Sequence, residues 1–438
     1  MKKVRIGVLG GYRGTSMINY CKAAANAEVV AICDKYDDVL EKQKAMPGTE
    51  NVTFYKDFED FIHHDMDAVV LANYANEHAP FAIRCLKAGL HVFSECLPCQ
   101  TMKEAVELVE AVEESGLVYA YGENYCYMAA PYEMKRLYEA GEIGEFDYAE
   151  CEYVHNCKPF WGSITYGEAD HWRNNMYSTF YCTHSLGPII HITGLRPVSV
   201  VGFEGQHVAG ARAVGSKAGQ FGMEMVTLEN GSLVKSLHGG LSRNSDWYCV
   251  YGSRGRLESA RKDAETGEVN RIYVHTGDVY DEFAPVQNIK TYLPQREFDH
   301  IAKDFGHAGS DFYCMYHFVQ KILGDEKADI IDVYEALDSF LPGMCAYFSV
   351  LQGGTPVEVP NMREKAVRDQ YRNDTRCTDP KVAGDQLLPT FSKGTPEIPQ
   401  EVYQKMYDQW QADLVSDSGY THAAMTQGAA CEDEGSQL

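Results

Sequence analysis

Short apolar runs alternate with helical patterns along residues 1–124. The apolar runs are nearly continuous, as is typical of strands buried on both faces of a sheet: VRIGVLG, AEVVAICD, AVVLAN, LHVFSE and LVYAYGEN. Helical periodicity marks the segments INYCKAAA, APFAIRCLKAG and MKEAVELVEAVEESG between them, two of which end at glycine. This alternation predicts an α/β domain with a doubly wound parallel sheet.

The pattern changes over residues 125–360. A glycine-ended helix, YEMKRLYEAGEIG, precedes long runs in which apolar and polar residues alternate: FDYAECEYVH, PVSVVGF, GMEMVTLENGSLVKSLHG and DWYCVYGSRGRLESA. Alternation with a period of two indicates strands with one buried face, and ENGS indicates a hairpin turn. Two helical stretches follow, SDFYCMYHFVQKILGD and DVYEALDSFLPGMCAYFSVLQGG. We predict an α+β domain in which helices pack back on an open-faced antiparallel sheet.

Residues 361–438 form a polar and uneven C-terminal extension. One amphipathic segment within it, PQEVYQKMYDQWQADLV, is a candidate for docking on the chain or for bridging two subunits. The final AACEDEGSQL has the composition of a disordered tail. The sequence therefore predicts two domains, residues 1–124 and 125–360, and an extension that is partly disordered.

Charge and composition restrict the partners. A formal net charge of −24 opposes binding to nucleic acid or to an anionic membrane. No apolar run is long enough to cross a bilayer, and glycines interrupt the apolar run in MKKVRIGVLGGYRG, which we interpret as a first strand rather than a signal peptide. The 14 cysteines are mostly single and lie in apolar segments, as in reduced cytosolic proteins. We expect a cytoplasmic protein with neither a nucleic-acid nor a membrane partner.

A glycine-rich turn follows the first strand and is typical of a dinucleotide site. If Gly10 is the first glycine of a G-x-G-x-x-G pattern, Tyr12 and a threonine occupy the other two glycine positions; a shortened turn based on Gly11 and Gly14 is the alternative. Asp34 ends the next strand, 24 residues after Gly10, where an acid binds a ribose hydroxyl and favours NAD over NADP; its other interpretation is a helix cap. The predicted NAD-binding residues are Gly10, Gly11, Tyr12, Arg13, Gly14 and Asp34.

Residues 91–101, HVFSECLPCQT, contain a Cys-x-x-Cys pair formed by Cys96 and Cys99. Such a pair elsewhere forms a redox dithiol or half of a zinc site, but the chain has no second close pair to complete four zinc ligands. Glu150, Glu152 and His155 do not form a metal site either, because alternation along one strand places His155 on the opposite face from the two glutamates. We predict that both cysteines are packing residues and that the chain has no metal site.

The segments NEHAPFAIRCLKAGLHVFSE, GENYCY and LYEAGEIGEF resemble the glucose–fructose oxidoreductase / inositol dehydrogenase / MocA family, across residues 1–360. The resemblance implies a Rossmann domain, an open-faced sheet domain, and a sugar that meets nicotinamide between them. The family's usual Glu-Lys-Pro signature supplies an acid–base lysine, whereas this chain has Cys96 in place of the lysine and Leu97 in place of the proline. We add four residues to the cofactor-binding candidates: Asn73, His78, Glu95 and Asn124.

One branch of that family also lacks the lysine, namely the NAD-dependent glycosidases typified by α-N-acetylgalactosaminidase. The chain resembles this branch in the Glu-Asn-x-Cys-Tyr segment at 123–127, in a Trp-Arg pair followed by Tyr-x-Thr-His-x-Leu-Gly-Pro within 172–188, in His-x-Gly-x-Asp at 307–311 and in GGxPVxVP at 353–360. YCTHS replaces the usual YPTHG of the branch, so the identity of the substrate stays open.

The resemblance implies transient oxidation of a sugar at carbon 3 by tightly held NAD. The ketone makes the neighbouring C–H bond acidic, a base removes that proton, the glycosidic group leaves, water adds and the hydride returns. His184 is the candidate base, because the pKa of histidine lies near neutrality; a buried structural histidine is the alternative. The candidate proton donors or partners of the ketone oxygen are Tyr181, Tyr127 and Tyr125.

His171, Trp172 and Trp161 flank a loop and are candidates for sugar binding, since an aromatic face stacks on a sugar ring. The other sugar-binding candidates are Arg173, His307 and Asp311. Three functions remain open. They are a redox-neutral NAD-dependent glycosidase, a conventional NAD-dependent sugar or polyol dehydrogenase, and a non-catalytic NAD-binding regulatory protein. We also expect a homodimer or homotetramer, because an open sheet face is usually buried against a partner.

Overall fold

The computed structural model describes residues 3–261, 270–276 and 289–415. The first sheet is formed by β1 (Val4–Leu9), β2 (Ala27–Cys33), β3 (Thr53–Tyr55), β4 (Ala68–Leu71), β5 (His91–Ser94) and β6 (Tyr119–Tyr121). Its strands are parallel and lie in the order β3-β2-β1-β4-β5-β6, which is the order of a dinucleotide-binding sheet. The predicted α/β architecture is confirmed.

Helices cover both faces of this sheet. They are α1 (Thr15–Ala23), α2 (Asp37–Lys44), α3 (Phe58–Phe61), α4 (His78–Lys87) and α5 (Met102–Ser115), with a 3₁₀ turn at Ala75–Glu77. The α5 helix shows how the sequence sets such an element, because the Thr101 side chain accepts a hydrogen bond from the backbone N–H of Glu104 at its start. Gly116 ends the same helix with a left-handed backbone.

The second sheet lies on the carboxyl-edge side of the first. The described residues place nine strands in it: β7 (Phe146–Val154), β8 (Pro197–Glu204), β9 (Phe221–Leu228), β10 (Leu233–Gly239), β11 (Ser245–Gly252), β12 (Gly255–Ser259), β13 (Ile272–Thr276), β14 (Ile289–Tyr292) and β15 (Val357–Glu358). Their order is β14-β13-β12-β11-β7-β10-β9-β8-β15. The predicted ENGS hairpin joins β9 to β10.

One strand pair of this sheet departs from the prediction of an antiparallel sheet. β10 runs parallel to β7, because the β9–β10 hairpin is inserted between β7 and β8. The other pairs are antiparallel. Alternating polarity identifies the buried face of each strand, but it does not specify the direction of the neighbouring strand.

Helices of the second half link the two sheets. They are α6 (Ala129–Glu139), α7 (Trp161–Thr165), α8 (Trp172–Asn175), α9 (Thr183–Thr193), α10 (Ala209–Arg212), α11 (Asp299–Ala302), α12 (Ser310–Ile322) and α13 (Val333–Leu351), with 3₁₀ turns at Asn124–Tyr127 and Lys158–Phe160. α9 packs on β7, β10 and β11, and α13 packs on β8 and α9. α12 contacts both α1 and the Asn124–Tyr127 turn, so it joins the first sheet domain to the start of the second.

The C-terminal extension contributes α14 (Lys365–Tyr371), α15 (Pro380–Ala383) and α16 (Gln400–Val415), with a 3₁₀ turn at Gly384–Gln386. Arg368 of α14 makes a bidentate ion pair with Glu113 of α5, at 2.6 and 2.9 Å. The amphipathic α16 docks on α7 of its own chain. The predicted disordered tail AACEDEGSQL lies outside the described residues. Of the helices that the structure describes, none has the length and apolar content needed to cross a membrane.

Candidate active site

The glycine turn lies between β1 and α1 at the carboxyl edge of the first sheet. Gly10 has a φ of +94°, and a Cβ there would lie 2.3 Å from the carbonyl oxygen of Ala72, so this position requires glycine. The Asp34 carboxylate accepts hydrogen bonds from the backbone N–H of Gly11 at 2.8 Å and of Tyr36 at 2.9 Å. Asp34 therefore holds the turn in shape while it also lines the cleft in front of it.

A cleft of about 380 Å³ extends from this turn to the second sheet. It brings together residues that are far apart in the sequence and that include most of the predicted candidates: Gly10, Tyr12, Arg13, Asp34, Asn73, Glu95, Asn124, His171, Trp172, Arg173, Tyr181, His184 and His307. The amide oxygens Oδ1 of Asn73 and Asn124 are buried and have no hydrogen-bond partner among the described residues. A tight glycine turn, an acid at the end of β2 and unsatisfied amide oxygens fit a dinucleotide.

Other candidates lie outside the lining of this cleft. His78 is buried and its Nδ1 donates to the carbonyl oxygen of Leu97 at 2.9 Å, and burial lowers its pKa to about 4, so it is a neutral residue that supports the loop after β5. The hydroxyl of Tyr127 donates to the carbonyl oxygen of Asp329 at 2.6 Å, which turns Tyr127 away from the cleft. Gly11, Gly14, Tyr125, Trp161 and Asp311 are also absent from the lining.

Asp311 lies outside the lining of the cleft and contacts residues that line it. Its carboxylate binds the Arg13 guanidinium at 2.9 and 3.0 Å, and it accepts a hydrogen bond from Asn124 Nδ2 at 2.9 Å. Burial alone would raise the pKa of Asp311. The opposing effect of Arg13 and His307 is larger, so the pKa of Asp311 is well below its usual value. The Asp311 carboxylate also lies 3.1 Å from Nδ1 of His307. Asp311 thus holds three cleft-lining side chains in place, those of Arg13, Asn124 and His307.

Glu95 lies on the other side of Arg13, with 2.8 Å between its Oε1 and Nη2 of the guanidinium. Burial raises the pKa of Glu95 to about 7 despite this ion pair. The end of β5 therefore presents to the cleft a carboxyl group that titrates near neutral pH.

His184, the second residue of α9, is buried and lines the cleft. Its Nδ1 lies 2.6 Å from Oε1 of Glu123, and the Thr183 hydroxyl donates to the other carboxylate oxygen at 2.7 Å. Burial alone would raise the pKa of Glu123. The opposing effect of His184 and Thr183 is larger, so the pKa of Glu123 is lowered and its carboxylate is ionised. An ionised partner at Nδ1 keeps the proton on that nitrogen, which leaves Nε2 as the basic atom.

Three tyrosines surround the His184 ring. The ring centroids of Tyr125, Tyr153 and Tyr181 lie 4.4, 4.7 and 5.0 Å from it. Burial raises the pKa of each phenol, so that all three stay protonated at neutral pH. They enclose the base in an apolar wall that carries hydroxyl groups, which suits a sugar.

Cys96 occupies the position at which the resembled family has a lysine. Its thiol lies 3.4 Å from Oε2 of Glu123 and 3.5 Å from the carbonyl oxygen of Gly122. Cys96, Glu123 and His184 offer ligand atoms within 4.8 Å of one another, the spacing of a metal site. Burial and the Glu123 charge raise the pKa of Cys96 well above its usual value, so that without a metal ion the thiol stays protonated and donates to Glu123. We interpret the three as a hydrogen-bonded cluster.

A second group of aromatic residues lies near Asp34. The hydroxyls of Tyr36 and Tyr74 both donate to the Glu168 carboxylate, at 2.7 and 3.2 Å. Tyr166 stacks on Tyr36 with 4.5 Å between the ring centroids. This tyrosine–glutamate cluster (Tyr36, Tyr74 and Glu168) connects the first sheet domain to the segment between α7 and α8.

The sequence analysis did not assign a role to Glu123, Tyr153 or this cluster. Glu123 follows β6 by two residues, at the same carboxyl edge of the sheet as Gly10, Asp34 and Glu95. That position was a usable signal, because ligands bind at this edge of open α/β sheets. Tyr153 and the cluster depend on contacts between domains, which local patterns do not contain.

Comparison with known proteins agrees with the cleft geometry. Residues 4–123 match the model of the Gfo/Idh/MocA oxidoreductase family, which has an NAD-binding Rossmann fold. Over 394 residues the chain is 27% identical to a glycosyl hydrolase family 109 protein of Solibacter usitatus, covering 82% of this chain and 88% of that one. It is 26% identical over 415 residues to an alpha-N-acetylgalactosaminidase of Tannerella forsythia, covering 82% and 86%.

Solved structures share the fold. The myo-inositol 2-dehydrogenase of Lactobacillus plantarum superposes with a TM-score of 0.62 at 19% identity, covering 82% of this chain and all of that one (100%). An oxidoreductase of Agrobacterium radiobacter, solved with NAD+, L-tartaric acid and magnesium, superposes with a TM-score of 0.65 at 14% identity, covering 82% and 99%. The resemblance inferred from the sequence is confirmed.

Proposed function

Because residues 4–123 match the model of the Gfo/Idh/MocA oxidoreductase family, which has an NAD-binding Rossmann fold, we propose that the chain is an NAD-dependent, redox-neutral glycosidase. The relatives named glycosyl hydrolase family 109 protein and alpha-N-acetylgalactosaminidase support a carbohydrate substrate. They leave the hypothesis of a non-catalytic regulatory protein without support. The proposed reaction is hydrolysis of a glycosidic bond by way of a transient ketone at carbon 3.

The residues at the carboxyl edge of the first sheet would hold NAD. The Gly10 turn would receive the pyrophosphate, Asp34 a ribose hydroxyl, and the amides of Asn73 and Asn124 further polar groups. Bound NAD would supply reversible hydride transfer at carbon 3 of the sugar. The preference for NAD over NADP is part of the proposal, and it rests on the negative charge of Asp34.

The Glu123–His184 pair is the observation that carries the proposal. Its free Nε2 can take the proton from carbon 2, and the ionised Glu123 at 2.6 Å stabilises the imidazolium that forms. Burial of both side chains removes competing water and strengthens this charge interaction.

The proton donors are the phenols around His184. Tyr181 lines the cleft and Tyr125 lies over the imidazole ring, and both stay protonated at neutral pH. Tyr181 can donate a hydrogen bond to the ketone oxygen or to the departing group, whereas Tyr125, outside the lining, packs against the base. Among the described residues that line the cleft, the lysines are Lys35 and Lys56, which lie at the Asp34 end. Among the described lining residues no lysine therefore lies beside His184, and the Tyr181 hydroxyl is there as a neutral donor.

One panel of aryl glycosides, which includes an aryl α-N-acetylgalactosaminide, tests the proposal. We expect release of the phenol without net accumulation of NADH, and incorporation of deuterium at carbon 2 in deuterated water. His184→Ala should lose both signals. Phenol release without exchange at carbon 2 would refute the elimination route.

A conventional sugar or polyol dehydrogenase is the second candidate. The same Glu123–His184 pair can take a proton from a hydroxyl group as it is oxidised, which is the observation that favours this alternative. Net NADH formation from a free sugar, with no phenol release from any glycoside, would establish the dehydrogenase and overturn the glycosidase.

A further inference from the structure

A side cavity of about 100 Å³ opens from the main cleft beneath the Lys158–Phe160 turn. The two cavities share a wall made of five residues: Tyr153, His155, Cys157, Arg173 and Tyr181. None of the roles proposed above uses His155 or Cys157. Both follow β7 directly, at the end that points toward the first sheet domain.

Cys157 differs from the other cysteines in the chain. Among the thirteen cysteines within the described residues, it alone is not buried. Cys157 and His155 both line the shared wall, and the backbone N–H of Cys157 donates to the carbonyl oxygen of His155 at 3.1 Å. The Tyr153 hydroxyl lies 3.0 Å from Nδ1 of His155 and fixes the orientation of the ring. One cavity wall thus brings together a nucleophile, a base and a group that orients the base, which are the components of an activated cysteine.

Charges around Cys157 favour the thiolate. Burial alone would raise the pKa of the Cys157 thiol. The opposing effect of His155, Arg173 and Lys158 is larger, so the pKa of this thiol is below its usual value. The thiolate in turn raises the pKa of His155 against the effect of burial. The other titratable groups that face this pair are Asp246, Tyr153, Tyr181 and His238.

A second feature shows that the side cavity is built for a ligand. His238 lines it and is 1% exposed, and neither of its ring nitrogens has a hydrogen-bond partner among the described residues, since the nearest carboxylate oxygen, Oε1 of Glu224, lies 3.8 Å from Nε2. The backbone of Ser178 and Thr179 lies near the ring, but not in hydrogen-bonding geometry. A buried imidazole without partners is costly unless a bound molecule supplies them.

We propose that Cys157 and His155 form a second reactive centre, in which the Cys157 thiolate adds to α,β-unsaturated ketones that bind across the two cavities. The sulfur forms a bond to the β-carbon, the electron pair of the C=C bond moves to the α-carbon, and that carbon takes the proton of the His155 imidazolium. No electrons are gained or lost overall, and the reverse steps release the ketone. The natural source rests on the proposed function, because loss of the glycosidic group next to a carbon 3 ketone produces such an enone with an electrophilic carbon 1.

The test uses cyclohex-2-enone as the probe and the full-length chain, without any glycoside. We expect one probe molecule per chain, located on Cys157 by peptide mass mapping, with a labelling rate that is half-maximal below the pH of an ordinary thiol. Cys157→Ser should abolish labelling. His155→Asn should slow it by about tenfold at neutral pH and shift the profile to higher pH, because the thiolate fraction falls.

Cys33→Ser is the matched control. Cys33 lines the same cleft, but it is buried and burial raises the pKa of its thiol to about 12, so labelling should not change. Labelling at another cysteine, or an unchanged rate and pH profile in His155→Asn, would overturn the proposal. If either variant fails to fold, the peptide map and pH profile of the unmodified chain decide it. Glycoside turnover has no part in these readouts, so the proposed function can fail while this centre is confirmed, and the reverse.

Discussion

Oε1 of Glu123 lies 2.6 Å from Nδ1 of His184, with both side chains buried and the two residues 61 positions apart in the sequence. Glu123 follows the last strand of the first sheet, whereas His184 begins the helix that covers the second sheet. The base is therefore complete only when the two domains dock. The Glu123–His184 pair therefore lies where the carboxyl edge of the first sheet meets the helix on the second sheet.

Substitutions at this pair should distinguish the role of His184 as the base from the role of Glu123, which stabilises the imidazolium. His184→Ala should lower kcat/KM by about two to four orders of magnitude, the usual contribution of a general base, with NAD binding unchanged. Glu123→Gln should cost less and should move the acidic limb of the kcat/KM profile to lower pH, because protonation of the base loses the support of a nearby negative charge. The measurement is kcat/KM against pH with an aryl glycoside. An acidic limb at the same pH in Glu123→Gln would show that the pair does not set the base.

Cys96 should prove replaceable. It is a buried neutral thiol that donates to Glu123, so Cys96→Ala should keep most of the activity, and a zinc chelator should have no effect. Cys96→Lys should not raise glycosidase activity, and we expect it to produce some net NADH from free sugar. A Cys96→Ala variant as inactive as His184→Ala, with fold and NAD binding intact, would show that the thiol or a metal takes part in the chemistry.

The sequence predicted the strands and helices well, because buried parallel strands and amphipathic helices each leave a periodic pattern. It could not predict that β10 pairs with β7 in parallel, since this depends on where a hairpin inserts. Tyr125 and Tyr127 show the same limit at the site. Both lie in one 3₁₀ turn, yet Tyr125 stacks on His184 and Tyr127 bonds Asp329, because packing against α12 and α9 decides which way each ring faces.

His191 provides a pH-dependent contribution to stability. Burial lowers its pKa, but Glu335 and Asp329 raise it to about 9, against 6.5 in the unfolded chain. Because folding raises this pKa, protonated His191 stabilises the folded protein, by up to about 3 kcal/mol. The contribution is complete at pH values below 6.5, the pKa in the unfolded chain, and is lost as the pH rises from 6.5 through 9. We expect the free energy of unfolding of the natural chain to fall more between pH 6 and pH 9.5 than that of His191→Gln. Parallel urea titrations of both proteins measure this, and equal slopes would contradict it.

The outer face of the second sheet should bind a second copy of the chain. Phe203 is 47% exposed and lies beside Met223 in the strand register, which in turn lies beside Leu237, so the three form an apolar row. Burying one phenylalanine side chain stabilises by about 1.5–3 kcal/mol, and a two-fold interface counts it twice. Phe203→Glu should therefore weaken self-association by at least about a hundredfold, as measured by analytical ultracentrifugation. Leu387→Glu, on a residue 50% exposed outside the sheet, is the control. A natural chain that sediments as a monomer would refute the prediction.

The α16 helix lies over the cofactor end of the cleft and should retain NAD. Trp161 and Ile164 of α7 pack on Met406 of α16, and the Ser163 hydroxyl donates to the Asp413 carboxylate at 2.6 Å. The Trp410 ring meets Tyr166 edge-on, with 5.1 Å between the centroids. Tyr166 in turn stacks on Tyr36 of the tyrosine–glutamate cluster beside Asp34. The C-terminal helix is thus linked by continuous aromatic contacts to the residues that border the predicted ribose site.

Removing one member of this chain of contacts should loosen the cofactor. An aromatic pair of this geometry contributes about 0.5–1.5 kcal/mol beyond its burial, so Trp410→Ala should raise the Kd for NAD roughly three- to tenfold, mainly through faster release. Lys405→Ala, on an exposed residue of the same helix, is the matched control and should bind NAD as the natural chain does. For the measurement, the bound NAD is first reduced chemically to NADH. Stopped-flow fluorescence then follows the release of the cofactor from each variant. Equal release rates in the two variants would show that α16 packs on α7 without holding the cofactor, because the aromatic chain would then transmit no stabilisation to the cleft.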